Sequence, residues 1–155
     1  MNIEQQIINV RDRLEIVDAL YRFGAGIDFC QAELLASAFT AEAVADFRPA
    51  AQKAGLAFPL LTGRESIVQT LICSVGALDT THVVTNPRTE ISGDTAKLYA
   101  IVEAQHLPPQ DHSRHFLMKN PYEVDLVREG DRWLISNLVI NNTWFTGEPK
   151  VLMGS

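Results

Sequence analysis

No stretch of this chain approaches the ~20 consecutive apolar residues that span a bilayer, so a membrane-embedded protein is not expected. Cysteine is scarce. Cys30 and Cys73 are the only two, and they form no CxxC pair. That argues against a disulfide scaffold, makes a reducing cytosol the expected compartment, and leaves each cysteine expected as a small buried hydrophobe. Net charge is −6 and no lysine- or arginine-rich run occurs. This argues against nucleic acid or an anionic membrane surface as partner. The opening Met1-Asn2-Ile3-Glu4-Gln5-Gln6 has no basic segment leading into an apolar one, so no secretory signal is expected. No GxGxxG, P-loop or HExxH pattern is present. No nucleotide, flavin or metal cofactor is therefore expected.

What is present is the composition of an ordinary globular protein. With 46% hydrophobic and 21% charged residues over 155 positions, the chain is expected to be one domain with a sizeable core. Residues 3–27 read as one helix with two apolar stripes. One runs Val10, Leu14, Val17, Tyr21, Gly24, with Asp28 in step; beside it run Ile16, Leu20, Phe23 and Ile27. Residues 31–39 read as a shorter helix with Leu34, Leu35, Ala38 and Phe39 inward. Val44 to Phe47 read as a brief strand and Pro49 to Pro59 as an irregular segment. Thr62-Gly63-Arg64-Glu65 has capping-box spacing, and Ile67, Val68, Leu71, Ile72, Val75 and Leu78 then repeat at helical intervals.

Beyond residue 80 the period changes to two. Residues 80–91, 95–107, 115–128 and 132–145 read as four strands. Gly93 and Gly130 suit tight hairpins, and Pro108-Pro109 marks a longer link. Helices followed by an antiparallel meander indicate an α+β protein. The expected architecture is a cone-shaped barrel: a strongly curved antiparallel sheet and three N-terminal helices enclosing a small-molecule pocket.

Two residues stand out against this frame. Asp28 shares a stripe read as core-facing, and a carboxylate there must find a partner or give up its charge. His82 lies in a strand, Thr80-Thr81-His82-Val83-Val84-Thr85-Asn86. Both faces of that strand carry valine, so alternation does not say which is inside. A helix-end carboxylate bonded to backbone and a structural strand histidine are the plain alternatives. Paired, the two make an oriented general base. The carboxylate holds one ring nitrogen, and the other is free to take a proton. His106, His112 and His115 flank the proline pair without the spacing of a metal site, and read as solvated or pocket-rim residues. His106 or His115 facing the cavity would add a second acid.

The order of short motifs resembles the SnoaL-like branch of the nuclear transport factor 2-like superfamily over nearly the whole chain. The landmarks are Tyr21…Ile27-Asp28, then Phe39-Thr40-Ala41-Glu42-Ala43-Val44, Gly63-Arg64-Glu65-Ser66-Ile67 and Thr81-His82…Thr85-Asn86. Gly93-Asp94-Thr95-Ala96 and Gly130-Asp131-Arg132-Trp133-Leu134-Ile135 complete the set. Within that superfamily the pattern is similar to scytalone dehydratase, lindane dehydrochlorinase and bile acid 7α-dehydratase. These are cofactor-free lyases with an Asp ending the first helix and a His opening a strand after the third. Asp28 and His82 occupy those places. Arg128 or Arg114 would stand for the dehydrochlorinase's pocket arginine. Phe23 and Ile27 stand where relatives carry polar helpers.

The resemblance implies a dehydratase-type elimination from a small cyclic or aromatic hydroxylated substrate, with Asp28 and His82 as the catalytic pair. An isomerase on the same pair and a non-catalytic binding protein are the competing readings. Candidate substrate contacts are Tyr21, Arg114, Tyr122, Arg128, Asn137, Asn141 and Trp144. A homodimer or homotrimer is expected, because one sheet face is left uncovered and the family usually associates.

Overall fold

The computed structural model describes residues 1–154. The first helix, α1, spans Ile3–Asp28 and opens with a capping box in which Asn2 and Gln5 exchange side chain-to-backbone hydrogen bonds. It closes in a Schellman arrangement: Cys30 N–H donates to Ile27 O, and Gln31 N–H to Gly26 O. Cys30 takes φ +51°, the left-handed conformation of that motif. This stop fixes where Asp28 ends up. Then follow α2 (Ala32–Ala36), β1 (Phe39–Asp46), α3 (Arg48–Lys53), β2 (Leu61–Thr62) and α4 (Arg64–Ser74). Four long elements complete the sheet: β3 (Asp79–Ser92), β4 (Thr95–Leu107), β5 (Phe116–Glu129) and β6 (Arg132–Ile140). A short β7 (Trp144–Gly147) and a 3-10 turn at Pro149–Met153 end the described chain.

The sheet order is β2-β1-β6-β5-β4-β3, with β7 added on β5 beyond the end of β6. The class is α+β as expected, with three corrections. The sheet has two edges, β2 and β3, and is not a closed barrel. It is mixed, because β1 runs parallel to β6. The long excursion through α3, α4 and the β3–β5 meander returns the chain in the same direction, as a parallel pair needs. And the segment 49–59, expected to be irregular, contributes to a fourth short helix, α3.

Other boundaries move for local reasons. Gly63, at φ +89°, caps α4 in place of a capping box, because Thr62 is in β2 and pairs with Val44. Gly93 and Gly130 each take φ +61° at the first position of a two-residue hairpin turn, a conformation that favours glycine. The expected last strand breaks at Asn141–Thr143 into β6 and β7. Bulges bend the long strands: Asn86-Pro87 face one residue of β4, and Ser136 is the extra residue of β6.

The concave face is covered by the stripe Ile16, Leu20, Phe23 and Ile27 of α1. It packs in one core with residues such as Leu98, Val124, Leu126, Trp133 and Ile135 of the sheet. Full burial of side chains this large stabilises by about 1.5–3 kcal/mol each. The neighbouring stripe is the correction: Val10, Leu14 and Tyr21 are exposed. Both cysteines, expected buried, are exposed and unpaired. Among the described residues, no helix is long and apolar enough to cross a membrane.

Candidate active site

Asp28 is the last residue of α1, and β3 passes directly beside it. Because β3 is an edge strand, backbone groups on its outer side lack a neighbouring strand. Asp28 supplies acceptors instead. Its Oδ2 accepts the backbone N–H of His82 at 2.8 Å. Its Oδ1 meets Nδ1 of the His82 ring at 2.6 Å and accepts the Thr80 hydroxyl at 2.9 Å. Thr80 and His82 share one face of the strand, two residues apart, so both reach the same carboxylate. The Asp28 side chain is 15% exposed. Burial pushes its carboxyl up, but the His82 ring, the His82 N–H and Thr80 outweigh it and hold it below the usual carboxylate range. An ionised carboxylate at Nδ1 assigns the proton of neutral His82 to that nitrogen and leaves Nε2 bare.

The ring lines a cavity of about 330 Å³ between the helices and the sheet. Its walls are apolar: Phe23 and Ile27 of α1, Phe47 and Phe58 around α3, Leu71 and Val75 of α4, and Met118 and Ile140 of the sheet. Leu152 and Met153 of the terminal turn border it. His106, Asn120 and Tyr122 bring polar atoms to the same space. His106 packs edge-on against His82 with centroids 6.1 Å apart. Its Nδ1 donates to the Phe116 carbonyl at 2.9 Å. Burial, only partly offset by that bond, pushes its pKa from 6.5 to about 4. Near neutral pH it is therefore an uncharged ring whose Nε2 is an acceptor; it is buried at the cavity, neither the solvated histidine expected from the sequence nor the second acid that a cavity-facing His106 would add. Asn120 is buried, and its Oδ1 accepts from Asn142 Nδ2 at 2.9 Å. That bond orients the amide, whose own Nδ2 meets only the Met118 sulfur at 3.9 Å among the described residues. Burial pushes the Tyr122 phenol well up, so it stays protonated.

Of the nine residues singled out from the sequence, His82 and Tyr122 line this cavity, and Asp28 stands behind it, joined to it through the His82 ring. The other six lie elsewhere. Tyr21 is on the outside of α1, half exposed, in an outer groove that Asp28 and His82 also border. Arg114 pairs with Glu148 at 3.1 Å on the surface. Arg128 is held by Asp12 at 2.8 Å and Asp94 at 3.0 Å, over the Trp133 ring. Asn137 lies in a shallow outer groove with Lys97 and Tyr99, because the bulge at Ser136 reverses the face it would share with Trp133. Asn141 follows the end of β6, and its N–H donates to Pro121 O. Trp144 is half exposed beneath Lys119. Asn120 was missed. Its signal was the alternation Phe116, Met118, Asn120, Tyr122, Val124 on one face of β5, all buried.

Residues 9–139 match the family profile of the SnoaL-like domain. No curated protein matches the sequence. Among solved structures, the Kfla4162 protein from Kribbella flavida is 24% identical, with 93% of this chain and 97% of that chain covered and a TM-score of 0.80. A candidate scytalone dehydratase from Novosphingobium aromaticivorans DSM 12444 is 19% identical over 92% of this chain and 91% of that one, with a TM-score of 0.78. The hexachlorocyclohexane dehydrochlorinase LinA-type3 from Novosphingobium barchaimii LL02 is 21% identical over 93% and 94%, with a TM-score of 0.76. At these identities the likeness is one of fold.

Proposed function

The chain belongs to the SnoaL-like family of the nuclear transport factor 2-like superfamily, and from that premise we propose that it is a cofactor-independent lyase. The reaction is a dehydratase-type elimination on a small cyclic or aromatic hydroxylated substrate. The observation that carries this reading is the 2.6 Å contact between Asp28 and Nδ1 of His82, with Nε2 bare at a mainly apolar cavity. Elimination is also the type of reaction named for the two Novosphingobium neighbours.

In the proposed step, His82 Nε2 takes a proton from a carbon next to an activating carbonyl. Asp28 keeps the ring in the required tautomer and stabilises the imidazolium that forms. The electron pair of the broken C–H bond becomes the new C=C bond as the neighbouring C–O bond breaks. The imidazolium returns its proton to the departing hydroxyl, which leaves as water, and His82 is neutral again. Asn120 N–H and Tyr122 O–H are the donors for negative charge growing on the carbonyl oxygen. The bare Nε2 of His106 accepts from a substrate hydroxyl. General acid–base catalysis of this kind contributes about 10²–10⁴-fold.

The test is a screen of purified protein against hydroxylated cyclic and aromatic ketones, followed by absorbance of the conjugated alkene with no cofactor added. His82→Gln should fold and lose turnover by at least about 100-fold. Full activity in that variant refutes the reading. A product that keeps its hydroxyl and has a shifted double bond would instead mark an isomerase. The exposed apolar residues Ile3, Ile7, Val10 and Leu14 of α1 support, in addition, assembly as a homodimer or homotrimer.

A further inference from the structure

We propose that Gly24 is a positioning residue for the pair formed by His82 and Asp28. Gly24 is four residues before Asp28, so the two lie one above the other on the same face of α1. Both meet the same residue of β3. Asp28 holds His82 through its N–H and Nδ1. Gly24 takes the other end of the side chain: a Cβ added there would lie 3.0 Å from His82 Cβ, and 3.9 Å from both its Cγ and its carbonyl oxygen. The histidine therefore sits in a two-point seat, with its Cβ against bare helix backbone and its ring nitrogen against the carboxylate.

Nothing in the backbone asks for glycine at this position. Gly24 is inside a helix and is not among the residues with positive φ. Glycine in a helix interior weakens the helix relative to alanine. The other glycine of this turn, Gly26, is accounted for by α2, because a Cβ there would lie 2.6 Å from the Leu35 nitrogen. Gly24 is accounted for by His82. A methyl group would push the His82 Cβ off the helix by a few tenths of an ångström. The 2.6 Å contact one turn further along has no slack to absorb that, and the ring would tilt relative to Asp28. Catalytic geometry tolerates little displacement of this kind. Any effect on turnover rests on the lyase reading above; the effect on the ring does not.

The test uses the full chain labelled with ¹⁵N and free of ligand. The Nδ1–H proton of His82 is assigned by its loss in His82→Gln. In Gly24→Ala this resonance should move upfield. Its exchange with water should accelerate by about tenfold or more, the scale of a weakened hydrogen bond to a charged group. Gly24→Ser, with a similar added bulk, should do the same. The melting temperature should rise or fall by less than about 5 °C, because alanine and serine are better helix formers than glycine. With a substrate in hand, kcat should fall about tenfold or more with KM unchanged. An unaltered resonance and exchange rate in both variants would overturn the proposal. So would failure to fold or a larger fall in melting temperature, which would make Gly24 a general packing residue. If the wild type turns over no substrate, the lyase reading fails while the spectra still decide the role of Gly24.

Discussion

Replacing His106 with glutamine should flatten the acid sensitivity of this protein between pH 7.5 and 5. The ring is buried and uncharged, its pKa pushed from 6.5 to about 4. In the unfolded chain it titrates near its ordinary value. Between those two values the unfolded state holds more protons than the folded one, so stability rises with pH there and is lost as pH falls. The contribution is complete above about 6.5. The whole shift corresponds to about 3 kcal/mol, of which about 2 kcal/mol is lost between pH 7.5 and 5. Glutamine keeps a donor for the Phe116 carbonyl but carries no titrating group. Urea unfolding followed by tryptophan fluorescence suits the measurement, because Trp133 is fully buried. The variant should start lower at pH 7.5, and the gap to wild type should shrink by about 2 kcal/mol at pH 5. Asp28 does not interfere: a carboxyl held below its usual range loses its contribution only as pH falls below about 4. Parallel profiles for the two proteins would refute the argument that His106 is buried neutral.

Asp12 is held at about 2 by its hydrogen-bonded partner Arg128, so Asp12→Asn should cost about 1–2 kcal/mol at pH 7. Chemical denaturation should show that cost disappearing as pH falls below about 4. Asn120→Leu removes the oriented amide donor from the cavity. It should weaken binding of a carbonyl-bearing substrate by about 10–100-fold, read by titration calorimetry, with no comparable loss for an apolar ligand. Light scattering at micromolar concentration should give a mass of two or three copies of the 17.2 kDa chain, and a monomer mass would remove the assembly from the proposal.

The parts of the fold set by local periodicity were legible in the sequence. The helix at residues 3–27 ends one residue from its structural limit, and the hairpins at Gly93 and Gly130 are where turn chemistry puts them. Leu35, Ala38 and Phe39 face inward as expected, and what failed was the choice of inward face on α1 and on β6. On α1 the stripe through Val10, Leu14 and Tyr21 was read as core-facing, and it is exposed. Asp12 and Arg22, charged residues of the same helix, are buried, and each has a partner far along the chain. Arg128 binds Asp12, while Asp18 and the Ser37 and Trp133 carbonyls bind Arg22. On β6 a single extra residue, Ser136, turned Asn137 away from the cavity. A bulge of one residue leaves almost no trace in composition, yet it reverses every later side chain of the strand.

Asp28 and His82 emerged from the sequence although the stripe that first drew attention to Asp28 was misread. The reason lies in the strand edge. Three donors converge on the Asp28 carboxylate: the Thr80 hydroxyl, the His82 N–H and the His82 ring. The same group thus covers an unpaired stretch of β3 and orients the proposed base. Asparagine at this position offers one oxygen in place of two. If that oxygen keeps the ring and Thr80, the new amide nitrogen faces the His82 N–H, donor against donor. If the amide turns over, its nitrogen faces the ring and favours the tautomer with Nε2 protonated, which cannot accept a proton from substrate. Either arrangement strands at least one polar group, at about 1–3 kcal/mol. Asp28→Asn should therefore lower the melting temperature by several degrees and lose turnover by at least about 100-fold. His82→Gln should lose turnover with a smaller thermal cost, because its backbone N–H still donates to Asp28. Equal stability in wild type and Asp28→Asn would mean that the carboxylate does not cover the edge of β3.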